Sequence, residues 1–137
     1  MTYEYDTWNR TKEITYADGE VVTYTYNPSG QLTNMDGEKG NNLYSYVNGI
    51  QYDKFGSCIS KYYKNGIETT FQYEPYRRRL SKILGVYSAN DTIQYVNYTY
   101  DKADNITVVN KSATRGVGGY PYTVNCEFAY DSLYRIV

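Results

Sequence analysis

The sequence predicts an all-β fold, an antiparallel β-hairpin repeat array over residues 1–137, and three observations carry that expectation. First, an aromatic or apolar residue stands two places before a Tyr six times: Tyr3/Tyr5, Tyr24/Tyr26, Ile50/Tyr52, Phe71/Tyr73, Tyr98/Tyr100 and Phe128/Tyr130. A spacing of two places both side chains on one face of a strand, whereas on a helix they diverge. Second, residues 5–25 (YDTWNRTKEITYADGEVVTYT) align without a gap on residues 52–72 (YDKFGSCISKYYKNGIETTFQ), matching Tyr5 with Tyr52, Asp6 with Asp53, Tyr16 with Tyr63 and Gly19 with Gly66. Self-similarity of this kind is the signature of a repeat architecture. Third, Asp18-Gly19, Asp36-Gly37, Asn48-Gly49 and Asn65-Gly66 punctuate the strand candidates with dipeptides that favour two-residue hairpin turns.

Taken in order, each repeat starts on a motif Tyr, at 5, 26, 52, 73, 100 and 130, followed by Asp6, Asn27, Asp53, Glu74, Asp101 or Asp131. Asp and Asn cap turns by accepting backbone N–H bonds. Four residues after each Tyr come Asn9, Gly30, Gly56, Arg77, Asp104 and Tyr134. The first three and Asp104 tolerate a left-handed backbone, so a turn is expected there, while Arg77 and Tyr134 fall short of it. Val21 to Tyr26, Thr69 to Tyr73 and Ile93 to Tyr100 have the β-branched and aromatic content of strands. Second hairpins are expected at Asp18-Gly19 and Asn65-Gly66. Motif spacing grows from 21 (Tyr52 to Tyr73) to 27 (Tyr73 to Tyr100) and 30 (Tyr100 to Tyr130), which reads as lengthening loops, with Arg115-Gly116-Val117-Gly118-Gly119 as the longest excursion.

Composition narrows the function. Of the hydrophobic residues 20 are Tyr and only 3 Phe, so much of the apolar surface carries a hydroxyl that needs a partner, which suits half-wet sheets better than a thick dry core. Fourteen Lys and Arg against fifteen Asp and Glu give a net charge of -1, and no field steers the chain to nucleic acid. The absence of His removes the commonest general base and zinc ligand. Cys58 and Cys126 lie in no metal-binding spacing and read as two part-buried free thiols. No apolar run reaches membrane-span length, and Met1-Thr2-Tyr3-Glu4-Tyr5 lacks the regions of a signal peptide.

The pattern Tyr-x-Tyr-Asp-x-x-Gly-Arg-Leu resembles the YD repeat of Rhs proteins, bacterial wall-associated proteins and the teneurins. Asp6 to Arg10, Asn27 to Leu32, Asp53 to Gly56 and Tyr130 to Val137 carry it best; Glu74 to Leu80 and Asp101 to Ile106 are degenerate. The resemblance implies strand pairs that spiral into a hollow β-shell, of which this chain is a curved open segment too short to close. It implies a secreted or bacterial cell-surface location and, as partners, the rest of the shell and an enclosed C-terminal toxin-like domain. No DPxG-type segment resembling the family's self-cleavage site stands near the end, so any enzymatic activity of the parent is expected outside this chain, and no cofactor is implied.

Other uses of these residues compete with the scaffold reading. Rows of Tyr offer a sugar-stacking platform for a cell-surface glycan, but recurring at the repeat period they read as cross-strand pairs worth about 0.2–1 kcal/mol each. Asp6, Asp53, Asp101 and Asp131 recur one place after Tyr, which favours turn caps over catalysis or calcium; Asp101 to Asn105 lacks calcium-loop spacing. Arg77-Arg78-Arg79 reads as a solvated turn. Asn9, Asn90, Asn97, Asn105 and Asn110 each begin an N-x-S/T triplet, which matters only for a teneurin-like adhesion protein. Starting on a strand at Tyr3 and stopping at Ile136-Val137, the chain is expected to expose unpaired edges and to self-associate.

Overall fold

The computed structural model describes residues 1–88, 91–114 and 120–137. They divide into two compact units, Met1–Ile67 and Glu68–Val137. The first holds β1 (Thr2–Tyr5), β2 (Thr11–Thr15), β3 (Val21–Tyr26), β4 (Leu32–Lys39), β5 (Asn42–Tyr52) and β6 (Cys58–Tyr63). The second holds β7 (Glu68–Tyr73), β8 (Leu80–Ser88), β9 (Asp91–Tyr100), β10 (Ile106–Ala113) and β11 (Tyr122–Glu127). Within each unit every strand pairs antiparallel with its neighbour in the chain. No helix occurs among the described residues. The all-β antiparallel expectation is met.

Register sorts the side chains onto two unlike faces. In the first unit one row runs Tyr3, Ile14, Val22, Gly37, Tyr44 across β1 to β5, and beside it runs Tyr24, Met35, Val47, Tyr63. Directly opposed residues share a face, so this is the apolar side, and Ile14, Val22 and Val47 are buried on it. The other side carries the row Glu4, Glu13, Thr23, Asp36, Ser45. The second unit repeats the division: Tyr98, Val109 and Cys126 share one face, while Lys82, Asn97, Asn110 and Asn125 share the other. One wet face and one apolar face is the usual state of an antiparallel sheet. Tyr24 and Tyr26 are half-buried with Thr25 between them exposed; Phe71, Tyr73 and Gln72 repeat this. The Tyr98 and Tyr100 rings lie 6.5 Å apart. Among the described residues Cys58 and Cys126, both half-buried, form no disulfide, and burial raises the Cys58 pKa.

The chain reverses at Asp18-Gly19, where Tyr16 N–H donates to the Glu20 carbonyl (2.7 Å) and Gly19 N–H to that of Tyr16 (3.1 Å). Asn65-Gly66 has the same bonds, Tyr63 to Ile67 (2.9 Å) and Gly66 to Tyr63 (3.0 Å). Both glycines sit at φ 84°, so these are type I turns closed by a left-handed residue in place of the two-residue turns that the dipeptides suggest. Asp36-Gly37 and Asn48-Gly49 do not turn at all; they lie inside β4 and β5. The reversal between those strands is at Gly40-Asn41, flanked by the Lys39/Asn42 pair. Gly37 is instead a space-maker, because a Cβ there would collide with the Tyr44 ring on the facing strand. Asn48 is skipped in the pairing of Val47 and Gly49 with Tyr63 and Tyr62, so its dipeptide marks a bulge.

The wider spacing from Tyr73 to Tyr100 lies mostly in strand and not in loop, since β8 and β9 have 9 and 10 residues against 6 each for β6 and β7. The loop expected at 115–119, and Asn90, fall outside the described residues.

Gly37 gives the fold its first test. Gly37→Ala forces the Tyr44 ring aside, and overpacking of this kind typically costs about 1–3 kcal/mol. Urea denaturation should show a lower midpoint with an unchanged slope; an unchanged midpoint would mean that the Tyr44 ring has another place to lie.

Candidate functional site

The recurring feature of both units is the turn that follows each motif Tyr. At the first, Asp6 N–H donates to the Arg10 carbonyl (2.9 Å) and Asn9 N–H to the Asp6 carbonyl (3.0 Å). The Asp6 carboxylate folds back over this loop: Oδ1 accepts the N–H of Trp8 (2.9 Å) and of Arg10 (3.0 Å), and Oδ2 takes the Arg10 Nε (2.6 Å). Asp53 accepts from Phe55 and Ser57, Asp101 from Ala103 and Asn105, Asp131 from Leu133 and Arg135, all within 2.8–3.0 Å. Asn27 does the same work once, for the N–H of Gln31 (2.9 Å). An Asp one place after Tyr is thus where a carboxylate can reach both amides of a three-residue loop.

The left-handed position of these loops is filled by Asn9, Gly30, Gly56, Arg78, Asp104 and Tyr134, at φ between 58° and 84°. Tyr134 adopts it although its residue type does not favour a left-handed backbone. That loop is fixed by two carboxylate bonds to its amides and by the Asp131–Arg135 pair, which hold Tyr134 in the left-handed position. The fourth copy is longer by one residue, so Arg78 and not Arg77 takes the slot. There Glu74 N–H donates to the Arg79 carbonyl (2.8 Å), and the longer acid holds Arg79 through both oxygens (2.6 and 2.9 Å). Arg77 and Arg79 both reach Asp104 at 2.6 Å, so they join neighbouring turns and do not form a free basic patch.

A second regularity ties one motif to the next. Tyr26 donates its hydroxyl to the carbonyl of Thr11 (2.7 Å), Tyr52 to Leu32 (2.8 Å), Tyr100 to Leu80 (2.7 Å) and Tyr130 to Ile106 (2.8 Å). Each acceptor is the first residue after the preceding turn. Burial raises the pKa of Tyr52 and Tyr100, which keeps these donors protonated. Where the turn ends in Arg, its guanidinium also lies over the incoming ring: Arg10 at 4.3 Å from the Tyr26 centroid, Arg79 at 4.5 Å from Tyr100.

A bulge accompanies each of these contacts. Tyr5 pairs with Thr11 while Glu4 pairs with Glu13, which leaves Lys12 extra; Thr33, Ile59, Ser81 and Thr107 are extra in the same way. Thr33, Ser81 and Thr107 donate their hydroxyls across to the carbonyls of Thr25, Gln72 and Thr99. A bulge at a strand end re-aims the next side chain, here the motif Tyr. Three of these five bulges are marked in the sequence by a Ser or Thr seven or eight residues past the motif Tyr, while Lys12 and Ile59 carry no such mark.

At the Asp18 turn, Glu20 accepts the hydroxyls of Tyr44 (2.6 Å) and Tyr46, whose rings meet edge to face at 5.5 Å. The Tyr44 hydroxyl is pushed well above its ordinary pKa by that carboxylate. Lys39 pairs with Asp18 at 2.7 Å. Among the described residues no three His, Cys, Asp or Glu side chains converge as metal ligands.

Two tests follow from this geometry. Tyr52→Phe deletes one hydroxyl bond and should cost about 0.5–1.5 kcal/mol in urea denaturation, while Tyr5→Phe, whose hydroxyl bonds nothing among the described residues, should cost nothing measurable. The second concerns acid. Desolvation works to raise the Asp6 carboxyl, but the Arg10 side chain and the amides of Arg10 and Trp8 outweigh it and hold the pKa below 3.8. Asp101 is lowered by the Asn105 side chain and amides against desolvation, and Asp131 chiefly by the backbone and side chain of Arg135. A depressed folded-state pKa means that the unfolded chain takes up protons first, so stability is full above the ordinary carboxylate pKa and falls as pH drops below it. Denaturation midpoints should be flat from neutral pH to about 5 and decline below about 4. A midpoint that rises on acidification would contradict the capping roles.

Comparison with known proteins places this architecture. Over 90% of its length the chain is 28% identical to the toxin subunit YenC1 of Yersinia entomophaga, and it spans 13% of that protein. Its fold superposes on the crystal structure of TcdB2-TccC3-Cdc42 with a TM-score of 0.88 at 23% identity, covering 98% of this chain and 6% of that one. The Photorhabdus luminescens Tc holotoxin pore gives a TM-score of 0.85 at 24% identity, with 98% and 6% covered. The family model of the RHS Repeat matches residues 2–41, the stretch that holds the first two motif turns and the hairpin between them.

Proposed function

We propose that residues 1–137 form one array of six Tyr-Asp motifs that acts as a non-catalytic structural segment of a secreted shell, enclosing or presenting a C-terminal toxin-like domain. The observation that carries this reading is how the motif groups are employed. The carboxylates of Asp6, Asp101 and Asp131 cap their own turns, and Tyr26, Tyr52, Tyr100 and Tyr130 spend their hydroxyls on the preceding turn. Groups so engaged hold hairpins in register and leave little for chemistry. Likeness to a toxin subunit over 90% of the chain supports the toxin-like setting. In the full-length natural protein, limited proteolysis should spare a C-terminal domain until the array unfolds. Cleavage of that domain at the rate of its isolated form would overturn the shell reading.

A glycan-binding role at a cell surface has one observation in its favour. Trp8 is 76% exposed and lines a cleft of about 500 Å³ with Arg10, Tyr26, Asn27 and Ser29. This differs from a platform of Tyr rings, because the exposed ring is that of Trp8. A glycan array would report binding that Trp8→Ala abolishes; without such binding the adhesive reading fails.

Asp53 separates scaffold from enzyme. Asp53→Ala removes the acceptor of the Phe55 and Ser57 amides and should cost about 0.5–2 kcal/mol, as lost caps do. A turnover that this substitution abolishes, with the fold intact, would refute the non-catalytic assignment.

A further inference from the structure

Arg10 and Arg79 hold the same place: each closes a motif turn, is gripped by that turn's acid and lies against the ring of the next motif Tyr. They differ at one nitrogen. Arg79 Nη1 donates to the Asp101 carbonyl (3.0 Å) and to the Asp104 carboxylate (2.6 Å), both in the following turn. Arg10 spends Nε and Nη2 on Asp6, at 2.6 and 2.5 Å, and its Nη1 meets no acceptor among the described residues. Gly30 is the reason. It takes in the second turn the left-handed position that Asp104 takes in the fifth, and a Cβ built on it would lie 3.4 Å from Arg10 Nη1. Where Asp104 brings an oxygen to Arg79, the second turn brings none to Arg10.

The space so left belongs to the cleft of about 500 Å³ between Trp8 of the first turn and Ser29-Gly30 of the second. Ser29 keeps it open, because it stands three places after its motif Tyr, where Trp8, Phe55 and Tyr76 stand in their turns. Exposure is a property of that position. Phe55 is 65% and Tyr76 97% exposed, although motif turns precede and follow both in the chain.

Charge selects the ligand class. The Asp104 carboxylate is tolerated beside Glu74 because Arg77 and Arg79 together match the two acids. Arg10 is already matched by Asp6, and among the described residues no other charged side chain lines the cleft. A carboxylate entering there would leave one anion in surplus, whereas a hydroxyl oxygen would not. A neutral acceptor that also presents an apolar face to an indole is what a sugar ring supplies. We propose that this cleft holds a neutral sugar ring, packed on Trp8 and accepting from Arg10 Nη1 through a hydroxyl oxygen, and that Gly30 admits it by having no side chain. The inference rests on the glycan-binding reading and adds to it the charge class of the ligand and the residues that set it.

Trp8 is the single Trp of the chain, so its fluorescence reports on the cleft directly. The 137-residue protein is titrated with the methyl glycosides of glucose, galactose and N-acetylglucosamine, and with methyl glucuronide as the charged counterpart of the glucoside. A neutral glycoside should shift the emission, with the glucuronide weaker by about tenfold or more. Gly30→Asp, which gives Nη1 the carboxylate that Asp104 gives Arg79, should weaken the neutral glycoside by about the same factor. Tyr76→Ala, at the same turn position as Trp8, should leave binding unchanged. Circular dichroism melting checks folding; should Gly30→Asp not fold, Arg10→Lys, which keeps the charge facing Asp6 and removes Nη1, replaces it with the same expected loss. A glucuronide that binds as well as the glucoside, a Gly30→Asp or replacement Arg10→Lys protein that binds like wild type, or a loss on Tyr76→Ala would overturn this proposal and leave the glycan reading standing. No response to any glycoside, together with a glycan array without Trp8-dependent binding, would overturn both; no response here beside such binding on the array overturns this one alone.

Discussion

The structure hangs on one hydrogen bond made again and again, from a tyrosine hydroxyl to the carbonyl that leaves the preceding turn. Strand pairing by itself fixes neighbours but tolerates slippage wherever both faces are partly wet. A hydroxyl at the far end of a ring reaches the carbonyl in only one register. A slip of two residues would strand the Tyr26 donor and the Thr11 acceptor together. The abundance of Tyr over Phe follows, because each motif ring must bury its body and still deliver a donor. The Asp-capped turn makes the acceptor available by holding the loop in one shape, and the bulge aims the ring at it.

Much of this was legible from the residues. Period-two aromatic pairs gave the strands, and the gap-free match between residues 5–25 and 52–72 gave the repeat, because both depend on local geometry that a linear pattern records. Asp6, Asp53, Asp101 and Asp131 were legible as turn caps for the same reason. What escaped depended on partners distant in sequence. Gly37 looked like a turn glycine, and only the Tyr44 ring across the sheet shows that it makes room instead. The bulge residues Lys12 and Ile59 share no side-chain chemistry with Thr33, so no composition rule finds them. Tyr134 at φ 59° lies beyond propensity altogether, since a turn clamped at both ends overrides the steric preference of the residue inside it.

The two faces divide the labour. On the apolar side of the first unit, Ile14, Val22 and Val47 are covered by rows of Tyr and Met; on the other, Glu4 stands directly opposite Glu13. Like charges so placed weaken a pair. Such a row is tolerable where water screens it, which marks that face as the wet one. Sheet stability therefore rests on the aromatic side and on the turns, and charge on the other side serves solubility.

The fourth turn shows how the motif can change length without losing its closure. It has one more residue than the others, and its acid is Glu74 in place of Asp, one methylene longer, still gripping the Arg that ends the loop. In this copy the longer acid goes with the longer loop. Any search for this architecture that insists on Tyr-Asp with a fixed offset to Arg or Gly will overlook Tyr-Glu copies whose loop has grown by one. A pattern written as a pairing of acid with span would recover them, and repeats now taken as decayed would be counted as working members.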